Sequence, residues 1–222
     1  MKKVSVILSS LFFLLTLTTF KPNHLNSGLN IFKIKNIEIK NLETLNKKII
    51  KRSFYNELVG SSLFVLDNEK INSVINKYEL IDYIKLKKIY PSKLQIIIYE
   101  KQAIAILNKK KRKYYLTKKG EKINFFKNQE LEKLPNIFGK QENFTDIYLA
   151  LVQLDFPITK IKSFYYFEIG RWDIILKDNK VIKLPAKNFI NSLRNYTELE
   201  KKNNFEKYSI FDYRIKDQLI LN

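Results

Sequence analysis

From Phe32 the pattern of apolar and polar positions becomes regular, and Ile37-Glu38-Ile39-Lys40 alternates as a half-exposed strand should. Helical spacing follows, with Leu45, Ile49 and Arg52 running alongside Ile50, Phe54 and Leu58, and Gly60 placed to end the helix. Asp67 stands where an N-cap belongs, ahead of Ile71, Val74, Ile75 and Tyr78 at i, i+3, i+4 and i+7. Ile84 and Leu86 then alternate with Lys85 and Lys87, Pro91-Ser92 turns the chain, and Leu94, Ile96 and Ile98 share one face of a further strand. The order strand, helix, helix, strand, strand predicts a three-stranded sheet with both helices on one face and a lysine-rich face in solvent.

The apolar face of that last strand meets a charge at Glu100. Beyond Lys101 and Gln102, Ala103, Ala105 and Leu107 fall on one side and Ile104 and Ile106 on the other, so the next segment is apolar on both faces. Tyr90 to Leu107 therefore reads as the last strand of one unit, a charged joint at Glu100 to Gln102, and the first strand of another. The second unit continues with two hairpins, one turning near Lys109 to Lys113 and one at Lys118-Lys119-Gly120, where Gly120 supplies a positive φ. A short strand ends at Gly139, and Phe144, Ile147, Tyr148 and Leu151 predict a helix over 143–154 that Pro157 stops. "IKSFYYFEI" and "RWDIILKDNKVIKL" hold three more strands, with Trp172, Ile174 and Leu176 on one face. A second helix opens at Pro185-Ala186 and carries Phe189, Ile190, Leu193 and Tyr196. "YSIFDYRIKDQLIL" closes the chain as a hairpin turning at Lys216-Asp217. The pattern predicts an α+β chain whose second unit is mostly antiparallel sheet with two helices attached.

The N-terminus changes the picture of where these units work. Lys2 and Lys3 precede an uncharged run from Val4 to Phe20, followed by Lys21 and Pro22. At about 1.5 Å per residue such a helix spans roughly 26 Å, the short end of what crosses a bilayer. The leading lysines favour a cytoplasmic N-terminus with everything after residue 22 exported. A cleaved signal peptide has the same charge pattern, but no small-x-small site stands near Thr16 to Lys21, which favours an uncleaved anchor.

Composition narrows the chemistry. The 222 residues are 45% hydrophobic and 14% aromatic, enough for packed cores. The net charge of +19 raises nucleic acid or an anionic membrane as a partner. Only five of the 41 basic residues are arginine, however, and the abundant Lys, Asn, Ile, Phe and Tyr all have AT-rich codons. Genome composition is thus sufficient to account for much of the basicity, and specific nucleic-acid recognition is disfavoured. With no cysteine and a single histidine, His24 in the linker, thiolate chemistry and an ordinary zinc site are excluded. There is no glycine-rich phosphate loop, no nucleophile elbow and no histidine-containing triad. The expectation is a non-enzymatic protein without cofactor or metal, and the Lys109 to Lys113 run reads as a solvated hairpin end.

Five pieces, in order, resemble the bacterial cell-division family FtsQ/DivIB: "IDYIKLKKIYPSKLQIIIYEKQAIAIL", "YYLTKKGEKI", "LPNIFG", "GRWDIILKDNKVIKLP" and "FDYRIKDQLIL". Lys101, Gln102-Ala103 and Asn179-Lys180 depart from the family pattern of Arg, Arg/Lys-Pro and Asn-Gly. The resemblance implies a cytoplasmic stub and transmembrane anchor over 1–22, with residues 4–20 in the membrane, and a linker over 23–31. It implies a POTRA domain of order β-α-α-β-β over 32–101 and an FtsQ-type β domain over 102–222. It also implies a single-pass protein of the bacterial inner membrane with its C-terminal domains in the periplasm at the division septum. Its partners are then FtsB and FtsL, in a divisome that leads to septal peptidoglycan synthesis.

The terminal hairpin suits such a partner. A last strand over Gln218, Leu219, Ile220 and Leu221 lies at a sheet edge, where its backbone can pair with an incoming segment and alternate side chains can select it. With Phe211 and Tyr213 on the preceding strand, these are the expected partner-binding residues. The alternative, a POTRA-bearing component of an outer-membrane assembly or secretion system, calls for several POTRA units and a long barrel, which the residues after Leu107 cannot accommodate.

Overall fold

In a computed structural model of the chain, residues 9–14, 32–141, 144–202 and 205–222 are described. Of the expected anchor, residues 9–14 are helical; the rest of 4–20 and the linker 23–31 lie outside the described residues. Among the described residues no helix is long and apolar enough to cross a membrane. Backbone contacts divide the chain into two compact units, Met1–Glu100 and Lys101–Asn222.

The first unit is β1 (Asn36–Lys40), α1 (Lys47–Leu58), α2 (Asn68–Asn76), β2 (Ile81–Ile89) and β3 (Lys93–Glu100). Its sheet has the order β1-β3-β2, with β1 parallel and β2 antiparallel to β3. A parallel pair needs a crossover, and the helices lie on it. Each helix begins at a side-chain cap: Asn46 accepts from the amides of Lys48 and Ile49, and Asp67 from those of Glu69 and Lys70. Ile50, Phe54 and Leu58 of α1 and Ile71 and Val74 of α2 are buried with Ile37, Ile39, Leu94, Ile96 and Ile98 of the sheet. The other stripe read on α1 does not win the core, because a helix lays only one face on a sheet; Ile49 is 56% exposed.

Glu100, where the apolar face of β3 gives out, has a structural task. Its two carboxylate oxygens accept from the amides of Thr44 and Leu45, each at 2.9 Å, tying the loop before α1 to the end of the strand. Lys101 and Gln102 are outside any strand, and the next one starts at Ala103.

The second unit comprises β4 (Ala103–Asn108), β5 (Lys113–Thr117), β6 (Lys122–Asn124), β7 (Asn136–Phe138), α3 (Phe144–Gln153), β8 (Ile161–Phe167), β9 (Arg171–Leu176), β10 (Val181–Lys183), α4 (Phe189–Glu200), β11 (Ile210–Asp212) and β12 (Ile220–Leu221). All its strands join one sheet of nine, in the order β12-β11-β10-β9-β8-β7-β4-β5-β6. The sheet is more mixed than the pattern suggested. Five junctions are antiparallel, but β4/β7, β7/β8 and β10/β11 are parallel. For β7/β8 and β10/β11 the reason is that α3 and α4 lie between the paired strands and return the chain to the same end; for β4/β7 the β5–β6 hairpin and the segment 125–135 do so. Lys109 to Lys113 are all exposed at the β4–β5 turn.

α4 begins later than its sequence suggested, at Phe189 rather than at Pro185-Ala186. Asn188 adopts φ 58°, a left-handed conformation that no helix can run through. Leu193 and Tyr196 of the expected stripe are buried, whereas Ile190 is exposed.

Register organises the sheet into two rows. Leu107, Ile137, Phe164, Ile174, Ile182, Phe211 and Leu221 are successive cross-strand partners, and the first six are buried. Phe144 of α3 meets Phe164 edge-on at 5.1 Å and Tyr196 of α4 meets Phe211 edge-on at 4.8 Å, so both helices cover this row. On the opposite face the row is Phe138, Tyr165, Asp173, Lys183, Asp212 and Ile220, with Phe138 and Tyr165 stacked at 4.7 Å.

Candidate partner-binding edge

β12 forms one margin of the nine-stranded sheet. Asn222 and Ile210 exchange both backbone hydrogen bonds, at 3.2 and 2.9 Å. In an antiparallel ladder such pairs alternate with pairs that make none, so Phe211/Leu221 is a non-bonded pair and Asp212/Ile220 a bonded one. The N–H and C=O of Leu221 consequently point away from β11, to the open side of the sheet. They are the groups a further strand can take up.

Side chains divide the other way. Leu219 and Leu221 pack against the core beside Phe211, while Ile220 is 41% exposed on the opposite face. Phe211 and Tyr213, expected among the partner contacts, are core residues at 2% and 8% exposure. They hold the margin in place from beneath, since alternation along β11 turns Phe211 to the helices. The Tyr213 hydroxyl donates to Asn195 Oδ1 on α4 at 2.9 Å, and burial pushes its pKa up, so the phenol stays neutral. Gln218 is exposed in the turn leading into β12. Of the expected set, Gln218 and Ile220 thus present side chains to solvent, Leu219 and Leu221 are partly buried, and Phe211 and Tyr213 lie beneath.

Arg214 and Asp212, outside the expected partner-binding set, shape this region. Residues i and i+2 of an extended chain lie on one side, and the Arg214 guanidinium forks onto the Asp212 carboxylate, with Nε 2.8 and 2.9 Å from its two oxygens. These hydrogen bonds hold the Asp212 pKa below the usual carboxylate value. Two strands away Asp173 shows the opposite shift: burial raises its pKa, opposed by Arg171, whose Nε stands 3.7 Å from Oδ1. The spacing "DYR" was a legible signal for the fork; the proximity of Asp173 was not, because it depends on register.

An open groove of about 640 Å³ adjoins the margin, between α4 and the β11–β12 connection. Asn191, Asn195, Arg214, Gln218 and Leu219 contribute to its walls. Among the described residues no cluster of His, Cys, Asp and Glu could hold a metal ion.

A β-α-α-β-β unit joined to a mixed sheet with two helices on one face defines a POTRA domain followed by a β domain of the division-protein type. The family model for the POTRA domain, FtsQ-type, matches residues 32–101, and that for the cell division protein FtsQ/DivIB, C-terminal, matches residues 105–214. The chain belongs to the FtsQ/DivIB family of cell-division proteins. It is 27% identical over 192 residues to the cell division protein FtsQ of Rickettsia conorii, covering 84% of this chain and 71% of the relative. Its likeness to FtsQ of Rickettsia bellii is 28% over 194 residues, with the same shares. With FtsQ of Bradyrhizobium diazoefficiens it is 26% identical over 165 residues, 72% of this chain and 48% of the relative. Among solved structures, the major extracytoplasmic domain of DivIB from Geobacillus stearothermophilus matches 44% of this chain and 89% of its own, at 14% identity and a TM-score of 0.31. The C-terminal match includes Phe211 and Tyr213 and stops before β12.

Proposed function

We propose that the protein is a non-catalytic assembly platform of the division septum, anchored in the inner membrane by residues 4–20 and exposing its two units to the periplasm. Residues 32–101 then act as the POTRA domain and 102–222 as the β domain, with 23–31 linking the first to the anchor. On this reading β12 captures an extended segment of FtsB, presented in its complex with FtsL, as a tenth strand of the sheet. One observation carries it: the outward backbone groups of Leu221 at the margin of an otherwise continuous nine-stranded sheet. The backbone supplies pairing, Ile220 and Gln218 supply side chains that can select a partner, and the groove beside α4 gives room for the segment to continue.

The test is capture of FtsB–FtsL by full-length chain lacking Gln218 to Asn222. The deletion is expected to leave a folded protein that no longer retains the pair, and undiminished retention defeats the edge-pairing mechanism. In cells, a fluorescent fusion is expected to form a midcell band; a uniform envelope signal contradicts the septal role.

A further inference from the structure

The first unit has an exposed apolar end outside its buried core. Phe32, Phe64 and Tyr90 form a ring cluster, with centroids 4.6 Å apart for Phe32–Phe64, 5.5 Å for Phe64–Tyr90 and 6.0 Å for Phe32–Tyr90. Yet Phe64 is 47% exposed, Tyr90 52% and the adjoining Val65 78%. The three rings come from separate segments that the backbone stitches together. Leu63 N donates to Phe32 O, Ile34 N to Ser61 O and Lys35 N to Ser92 O, at 2.8 to 2.9 Å. Lys88 Nζ donates to Phe64 O at 2.6 Å, and Lys33 and Lys35 are exposed nearby along the chain.

This is the end at which the chain comes in. β1 and β3 run parallel from it, so Glu100, where the chain leaves the unit, is at the opposite end of the sheet. Only residues 21–31 separate Phe32 from the uncharged run 4–20. Such a tether reaches about 40 Å at full stretch. It therefore keeps the cluster at high effective concentration next to whatever holds that run. Aromatic rings flanked by lysines match the interfacial zone of a bilayer, where rings settle at headgroup level and ammonium groups reach phosphate.

We propose that Phe32, Phe64, Val65 and Tyr90 seat the first unit on the outer leaflet of the anchoring membrane, with Lys33, Lys35 and Lys88 toward anionic headgroups. The proposal rests on residues 4–20 being the anchor. The seat fixes which end of the unit faces the lipid and turns the Glu100 end away from it.

The chain has no cysteine, so one introduced thiol takes one nitroxide label. Full-length protein in vesicles of phosphatidylethanolamine and phosphatidylglycerol is labelled in turn at Val65→Cys, Glu43→Cys and Leu14→Cys, and the ratio of oxygen to nickel-chelate accessibility is read at each. The expected order is highest at 14, intermediate at 65 and aqueous at 43. A hydrocarbon value at 14 with an aqueous value at 65 overturns the seat while leaving the anchor intact. An aqueous value at 14 overturns the anchor reading and the seat with it. In a Phe64→Ser, Tyr90→Ser background with unchanged far-ultraviolet circular dichroism, the ratio at 65 is expected to fall to that at 43; an unmoved ratio also overturns the proposal.

Discussion

Ile220 pairs with Asp212 across the last junction of the sheet, and this places its side chain on the face away from the helices while its neighbour Leu221 turns toward them. In a margin strand of two residues, one side chain is thus exposed and the next is committed to the core. Ile220→Glu is therefore expected to change stability by no more than about 0.5 kcal/mol. On the proposed edge-pairing reading, capture of an FtsB segment is expected to weaken by about tenfold or more. Leu221→Glu is expected to lower the thermal midpoint clearly, since it puts a charge against Phe211. Thermal melts of both variants with a binding titration check the split.

The backbone directions along β12 can be tested independently of side chains. Proline at Leu221 removes an N–H that points to the open margin, where proline is tolerated, whereas proline at Ile220 removes one that bonds to β11. Leu221→Pro is expected to abolish capture at a stability cost of about 1–2 kcal/mol. Ile220→Pro is expected to release β12 from the sheet, seen as fast amide exchange at Asp212.

Gly139 follows β7 at φ 94°, and a Cβ there lies 2.6 Å from the carbonyl oxygen of Tyr166. Backbone, not a flexible side chain, blocks the space. Gly139→Ala is expected to destabilise the second unit by about 2 kcal/mol or more in a denaturant titration.

Removing the Glu100 carboxylate leaves the amides of Thr44 and Leu45 without that partner. Glu100→Ala is expected to cost about 1–3 kcal/mol. Amide exchange at Thr44 and Leu45 should accelerate ahead of that in β3.

The two aspartates of the polar row are expected to have opposite pH signatures. An unfolded aspartate titrates near about 3.9. Asp212 lies lower in the folded state, so its contribution to stability is complete above that pH and is lost as pH falls through the folded value. Asp173 lies higher, so its ionisation subtracts stability, beginning near the unfolded value and complete above the folded one. Asp212→Asn is expected to lower the thermal midpoint at neutral pH and Asp173→Asn to raise it. Carboxyl carbon titration by nuclear magnetic resonance should find the two on either side of the ordinary value.

What was legible without coordinates was local. The caps at Asp67 and Gly60, the alternation of β1 and β2, the joint at Glu100 to Gln102 and the turn at Lys216-Asp217 follow from residues a few positions apart, where side-chain chemistry and backbone sterics act directly. Most of the candidate edge was legible as a location for the same reason: an alternating strand at the end of a hairpin. Tertiary structure decided everything that depends on distant partners. On α1, Ile50, Phe54 and Leu58 rather than Ile49 meet the sheet because only one stripe can face Leu94, Ile96 and Ile98. Phe211 and Tyr213 prove to be core and Ile220 surface because register with β10 and α4, not composition, sets which face is covered. The parallel junctions arise in the same way, from connections that carry the chain back across the sheet, through a helix at β7/β8 and β10/β11. Sequence by itself determined the elements and their family. Long-range register, which no short window of residues contains, decided which groups the margin leaves open.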